Sequence, residues 1–438
     1  MIWLIVAGVA LRTLLVVFST APYGYVWDFY YEGVQRLYGS GRLPASPDCW
    51  QCYHPPLFYL LGLPFYAIGR WLSPGGDDAM ALRWLGGLSL VCGAIVVYYG
   101  DRLLRFFGCR GASRVTGFAL LIAFPCLFIS SYGPEADIVV AAVMSALIFH
   151  LTRYFAHPKP SGVLDAARLG LLAGLAAATK YSGLVGVASV ATVTGIRALT
   201  GPERVRAVRD MTIVIVICAV VGGWKYLDNV RRFGTPLFAN GAAAQGFTAA
   251  GRQTFPDHYE FFTIRIPQLM EIVGRGLPPR PLTDFPVYRS VITTLHGLAW
   301  SDMSFFSDPS RHGDPTRPYP LKRTQPAITR AVLLLGFVPD FLAVAGFIRT
   351  LRRRVFWPIA IVSVLGIALY VAWFLTQEAW GLKTKYLLFL LPPFVVYAVA
   401  GLAWIWRRAP AIAGDAVGWL LVTLVLLVHI YLFVFSVG

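Results

Sequence analysis

Apolar residues along this chain come in long runs, near 2–19, 84–100, 115–132, 136–154, 211–227, 328–348, 356–375, 385–405 and 412–436. A helix needs about 17 to 25 predominantly apolar residues to cross the hydrocarbon core of a bilayer. Each run meets that requirement, so the pattern predicts membrane helices. Two shorter runs, 166–179 and 181–197, meet at "TKYSG" and read as a tight helical hairpin. The total is about eleven spans in an all-α polytopic membrane protein.

One further run, "HPPLFYLLGLPFYAIGRWL" at 54–72, is apolar enough to span but is interrupted by Pro55, Pro56, Gly62 and Pro64. Charge decides its placement. Four connections are basic: Arg102, Arg105, Arg110 and Arg114; Arg204, Arg206 and Arg209; Arg349, Arg352, Arg353 and Arg354; Arg407 and Arg408. If 54–72 lies along the surface, all four fall on one side, which the positive-inside rule makes cytoplasmic. If it spans, the first group lands outside and the rule is broken. An interfacial helix is therefore expected.

That choice divides the chain into a membrane module over 1–227 with a first outer loop at 20–83, an extracytoplasmic segment over 228–326, and C-terminal membrane helices over 327–438. The middle segment is rich in Pro, Gly and charge and is expected to lie over the membrane helices. The outer side also receives the loop 132–135, Lys180 and the loop 376–384. No internal repeat is visible.

Composition supports the same class. Of 438 residues, 57% are hydrophobic and 14% charged, against about a quarter charged in a soluble domain. Aromatics at 14% suit the bilayer interfaces. The formal charge of +16 belongs to cytoplasmic loops and to contact with anionic lipid or phosphate-bearing substrates. It does not indicate nucleic acid, since no basic reader helix or motif is present. Met1 to Ser19 carries no small-residue cleavage signal and is expected to stay as an anchor.

Candidate chemistry sits at the predicted outer ends of spans. "YVWDFYYEGVQRLY" places Asp28 and Glu32 four residues apart, on one helical face, just after the first run. Glu32 also reads as an ordinary acid of a solvated helix. Asp28 is flanked by Trp27, Phe29, Tyr30 and Tyr31, where a carboxylate is costly unless it has a partner or a task. Partial desolvation raises its proton affinity, which suits a general base. In "SSYGPEADIVVAA", Glu135 and Asp137 open another span. Acids in a helix's first turn are stabilised by its dipole, yet two acidic sites on one surface exceed what capping needs.

"DCWQCYHPPLFYLL" adds Cys49, Cys52 and His54. On the oxidising side the two thiols read as a local disulfide, with free thiols or a metal pair as alternatives; four ligands of a structural zinc site are not visible. His54 reads equally as a helix-start residue and as a substrate contact. Basic residues complete the set. Lys180 lies between two apolar runs with no acid nearby in sequence, Lys225, Arg231 and Arg232 end a span, and Lys383 and Lys385, next to Tyr386, begin another. Lysines at helix ends commonly snorkel, but several from different helices can also cradle a phosphate.

An acid after the first run, then "HPPLFYLLGLPFYAIGR", "YGPEADIVVAAVMSALIFHLTRY", "GLLAGLAAATKYSGL", "GGWKYLDNVRRFGTPLFAN" and "KTKYLLFLLPPFVVYAVAGLAW", occur in that order. This series resembles the membrane-embedded GT-C glycosyltransferases, in particular bacterial relatives of the protein O-mannosyltransferases and of the lipid A aminoarabinose transferase. The resemblance implies a GT-C-type helical bundle with surface-lying helices in the first outer loop, in a bacterial inner membrane, with its active site on the extracytoplasmic side. It implies a polyprenyl-phosphate sugar donor, a hydroxyl acceptor of unassigned kind, and membrane lipids as surroundings. Asp28 matches the family's catalytic base and Glu135 its second acid. Lys180, Arg231 and Lys385 are then candidates to receive the departing phosphate, with Glu32, His54, Asp137, Lys383 and Tyr386 as further substrate contacts. No cofactor is expected: Glu135-Ala136-Asp137 is the nearest approach to an Asp-x-Asp metal motif, and the first loop has none, although a divalent metal is not excluded. The chain is expected to lack the soluble C-terminal domain of some relatives, which leaves acceptor recognition to 228–326.

Two other readings compete. A transporter or flippase would place charges at the bilayer midplane in broken helices, commonly with repeated halves; here the acids cluster at span ends and Arg12 is the main midplane exception. An inactive scaffold would keep the fold without needing both acids.

Overall fold

A computed structural model describes residues 10, 30–49, 51–73, 75, 78–131, 133–156, 162–200, 204–238, 262–267, 269–270, 290–301, 326–376, 384–408 and 411–437. Asp28, Lys383 and all of the first run except Ala10 lie outside them. Among the described residues every regular element is helical. Six helical stretches are long and apolar enough to cross a membrane: Asp78–Phe106, Ala136–Ala156, Tyr181–Thr200, Ala327–Thr350, Arg354–Ala372 and Thr384–Arg408. The chain is an integral membrane protein.

The first loop contributes α1 (Tyr30–Ser40) and α2 (Leu57–Trp71), which pack on each other and on α3 (Asp78–Phe106). Asp78 ties the three together. It accepts from Gln35 Nε2 at 3.0 Å and from Tyr66 OH at 2.8 Å, and pairs with Arg70 Nη1 at 2.7 Å. Burial, with the hydrogen bond to Asp78, pushes the Tyr66 phenol up to about 12, so it remains a neutral donor. α2 has 15 residues. At 1.5 Å per residue it is about 22 Å long, short of the roughly 30 Å hydrocarbon core. That length suits a helix lying along the interface.

The run 115–132, read as one span, is two helices: α4 (Gly111–Ala123) and α5 (Pro125–Ser130). Phe124 between them is extended, with ψ 112°, because the residue before a proline avoids the helical region. The central helix α6 (Ala136–Ala156) is buried along most of its length. It packs on α3 and on α7 (Val163–Thr179). α8 (Leu184–Thr200) folds back on α7 as the expected hairpin. The hinge needs Gly183, since a Cβ there would collide with the carbonyl of Ala176. α9 (Arg204–Cys218) and α10 (Trp224–Phe233) form one helical path. A π turn at Ala219–Gly223 interrupts it, where Gly222 lies against the backbone of Gly174 on α7.

From the middle segment, α11 (Val291–Ser301) is built into the bundle, with Trp300 fully buried. Its His296 lies 2.6 Å from Asp340 and stacks on Phe337, both on α12 (Pro326–Thr350). α13 (Trp357–Thr376) follows, then a 3-10 stretch at Thr384–Leu390, α14 (Leu391–Arg408) and α15 (Ala411–Val437). Pro392 and Pro393 occupy the first turn of α14, where a missing amide costs nothing. α12 and α14 cross through Gly346 and Gly401, each seated against the other helix's backbone, the small-residue contact that lets membrane helices approach closely.

The bundle has two chemically different ends. At one, Asp101 holds Arg105 and Arg114, Arg114 Nε at 2.7 Å. Arg197 donates to Tyr154 O at 2.6 Å, and Tyr154 OH donates to Asp210, which Arg209 also holds. Phe107 stacks on Phe356 at 4.2 Å. The basic connections around 102–114, 197–209 and 349–356 therefore meet at one end. The opposite end carries the starts of α2, α6, α8 and α14 and the termini of α7 and α10.

Candidate active site

At that opposite end two acid–lysine pairs stand together. Pro134 leads into α6 and Glu135 and Asp137 begin it, with Gly133 O accepting from Ser89 on α3 and from the Glu135 amide. The carboxylates thus sit at the positive end of the helix dipole, among amides with no intrahelical partner. α7 stops at Thr179, whose hydroxyl bonds back to Leu175 O at 2.8 Å. Lys180 is extended, with φ −159° and ψ 156°. That break turns its side chain inward instead of continuing the helix.

Lys180 Nζ donates to Asp137 Oδ1 at 2.7 Å and to Tyr30 OH at 2.7 Å. It also sits 4.0 Å from the ring centroid of Tyr386 and 5.3 Å from that of Tyr30. Asp137 is 0% and Lys180 6% exposed. In so dry a place an unpartnered ammonium would be strongly disfavoured, and the carboxylate and two aromatic faces supply its partners. The other oxygen, Asp137 Oδ2, is buried without a hydrogen-bond partner among the described residues.

The 3-10 stretch before α14 supplies the second pair, Lys385 Nζ to Glu135 Oε1 at 2.7 Å. Thr384 anchors that stretch by donating to Leu295 O of α11 at 2.8 Å. Lys385 and Tyr386 therefore reach the two acids from one short segment.

An aromatic wall borders the pairs. His54 stacks on Tyr30 at 5.7 Å, lies 4.1 Å from Tyr53 and meets Tyr181 edge-on at 5.5 Å. Tyr181 OH accepts from Asn229 Nδ2 at 3.1 Å and lies within reach of the carbonyls of Phe238 and Tyr53, at 2.8 and 3.1 Å. Cys49 and Cys52 are joined as a disulfide just before His54. Beside that loop, buried Lys225 of α10 donates to Ser46 at 3.1 Å. Among the described residues no group of three or more His, Cys, Asp and Glu side chains could hold a metal.

The structure therefore brings together Glu135, Asp137, Lys180, Lys385, Tyr386 and His54. It does not bring Arg231 to them: that side chain is exposed on α10, two residues and so about 200° around the helix from buried Asn229. Glu32 is half-exposed on α1, two residues and so about 200° around the helix from buried Tyr30. Asp28 and Lys383 lie outside the described residues. Three residues were not singled out by sequence. Tyr30 counted only as part of the aromatic flank of Asp28, and Tyr181 was passed over although it adjoins Lys180 at the hinge. Asn229, a neutral amide on an amphipathic helix, gave no signal.

No family model and no curated protein matches the chain. Among solved structures it is similar to ArnT from Cupriavidus metallidurans in the apo state, at 17% identity and a TM-score of 0.36, covering 85% of this chain and 71% of that one. It is also similar to ArnT from the same organism bound to undecaprenyl phosphate, at 16% identity and a TM-score of 0.37, covering 93% and 80%. Both likenesses are distant.

Proposed function

We propose that this protein is a membrane glycosyltransferase that moves a sugar from a polyprenyl-phosphate donor to a hydroxyl acceptor on the extracytoplasmic face. The observation that carries the reading is the convergence of buried Lys180 and half-buried Lys385, with Glu135, Asp137 and an aromatic wall, at the end of the bundle opposite the basic connections. The positive-inside rule makes the basic end cytoplasmic, which leaves the site outside. The motif series described above supplies the reaction class.

In this reading the step is one inverting displacement. The acceptor oxygen attacks the anomeric carbon while Asp28 takes its proton. The bond from that carbon to the phosphate oxygen breaks, and the polyprenyl phosphate leaves with the electron pair. Lys180 and Lys385 stabilise the growing negative charge, each ammonium having three donors to distribute between carboxylate and phosphate. The aromatic rings hold sugar faces and keep water from competing as acceptor.

The test is to incubate purified protein with a panel of polyprenyl-phosphate sugars and follow donor consumption. One donor should be consumed by the wild type and none by Asp28→Asn. Movement of intact lipid between leaflets without consumption would instead identify a transporter.

A further inference from the structure

At the basic end, the arginines divide into two kinds. Arg105 and Arg114 share Asp101, and Arg209 is held by Asp210. Arg102 and Arg153 have no carboxylate partner among the described residues. Both address a single ring: the Arg102 guanidinium lies 5.0 Å from the centroid of Phe149, and that of Arg153 lies 5.8 Å from it. Arg102 also donates to Tyr98 OH at 3.2 Å. Arg168 joins the group from α7, which packs on α6. Among the described residues the acid that meets the group is Asp165, which pairs with Arg168 at 3.6 Å. Three guanidiniums and one carboxylate leave an uncompensated excess of positive charge.

The cluster's position is as informative as its charge. It draws on the last turns of α3 and α6 and the first turns of α7, and so lies near the end of the bundle. The surface on its membrane side is apolar: Val91 and Tyr98 on α3 and Leu171 on α7 are exposed. An apolar outer surface of a membrane bundle faces acyl chains, and a basic group just above it faces headgroups. Water alone would leave these arginines without a counter-charge, whereas the adjoining leaflet supplies phosphodiesters.

We propose that Arg102, Arg153 and Arg168 form a binding site for an anionic phospholipid of the cytoplasmic leaflet. The headgroup phosphate lies against the guanidiniums and the acyl chains run along Val91, Tyr98 and Leu171. The site is separate from the acid–lysine pairs and independent of the reaction assigned to them.

Native mass spectrometry of the full chain tests this in micelles doped with equimolar phosphatidylglycerol and phosphatidylcholine. The wild type retains phosphatidylglycerol in preference. Arg102→Gln/Arg153→Gln binds it about thirtyfold more weakly, from about 1 kcal/mol per basic residue at a tenfold change for every 1.4 kcal/mol. A charge-matched control at the same end, Arg110→Gln/Arg204→Gln, retains it. Inorganic phosphate does not displace it, because the acyl chains contribute to binding. Equal retention of the two lipids by the wild type overturns the proposal even if the double variant fails to fold. So does an undiminished preference in a folded double variant, or an equal loss in the control.

Discussion

Lys180 and Asp137 are separated by 43 residues and meet at 2.7 Å, joining the end of α7 to the start of α6 where neither side chain is open to solvent. Breaking one partner of such a pair leaves a buried charge uncompensated and costs about 3–5 kcal/mol, whereas replacing both by apolar groups is often nearly neutral. Asp137→Leu should therefore lower the thermal unfolding midpoint markedly, and Asp137→Leu/Lys180→Met should recover most of the loss without restoring transfer. A double variant no more stable than the single one would show that the pair does not hold these helices together.

If Lys180 receives the donor phosphate, reversing its charge should be felt in binding before chemistry. Lys180→Glu places a second carboxylate beside Asp137 and should weaken binding of the proposed polyprenyl-phosphate donor by about tenfold or more, as expected for loss of a charge-assisted contact of about 1.5–3 kcal/mol. Calorimetry or quenching of intrinsic fluorescence would read it. Unchanged affinity would remove Lys180 from the cradle and leave it a structural role.

Lys385→Gln should act differently, because its pair with Glu135 is less deeply buried than that of Lys180. The variant should fold nearly as well as wild type while its turnover falls by about a hundredfold, the scale of one lost charge-stabilising donor. Wild-type turnover would confine the role of Lys385 to holding Glu135.

Six of the roughly eleven expected spans have counterparts among the described residues that are long and apolar enough to cross a membrane. The run 136–154 became Ala136–Ala156 and 328–348 became Pro326–Thr350, because a bilayer's thickness imposes length on apolar segments. What runs of hydropathy do not encode is a break inside a span. Phe124 before Pro125 could have been read from the proline, but the π turn at Ala219–Gly223 depends on contact with Gly174, which is tertiary. The site followed the same division. Glu135, Asp137, Lys180 and Lys385 stood out as charges at span ends, yet who pairs with whom depends on helix packing. Arg231 shows the limit: its neighbourhood in sequence suggested the cradle, but the helical phase turns it outward.

Sidedness is open to direct measurement. Leu237 lies just beyond α10 at the site end and is exposed, and Ala112 lies at the start of α4 at the basic end, also exposed. With membrane-impermeant maleimide on intact cells, Leu237→Cys should label and Ala112→Cys should label only after permeabilisation. The reverse pattern would invert the bundle and place the acid–lysine pairs in the cytoplasm.

The disulfide bears on the site through His54. Cys49 and Cys52 close a short loop, and the chain then passes directly to Tyr53 and His54, whose rings lie against Tyr30 and Tyr181. Tyr59 steadies the loop by donating to Gln51 O at 2.5 Å. So short a closed loop removes little freedom from the unfolded chain, about 2 kcal/mol in the chain-entropy account, so its loss should barely disturb the bundle. Its effect should instead be local, freeing the aromatic wall that keeps Lys180 dry. Cys49→Ser/Cys52→Ser should retain most of its thermal stability, lose turnover several-fold, and hydrolyse a larger share of donor as water enters. Wild-type turnover and hydrolysis would show that the loop holds its place without the bond, whereas global unfolding would show that the bond supports far more of the fold than the site alone.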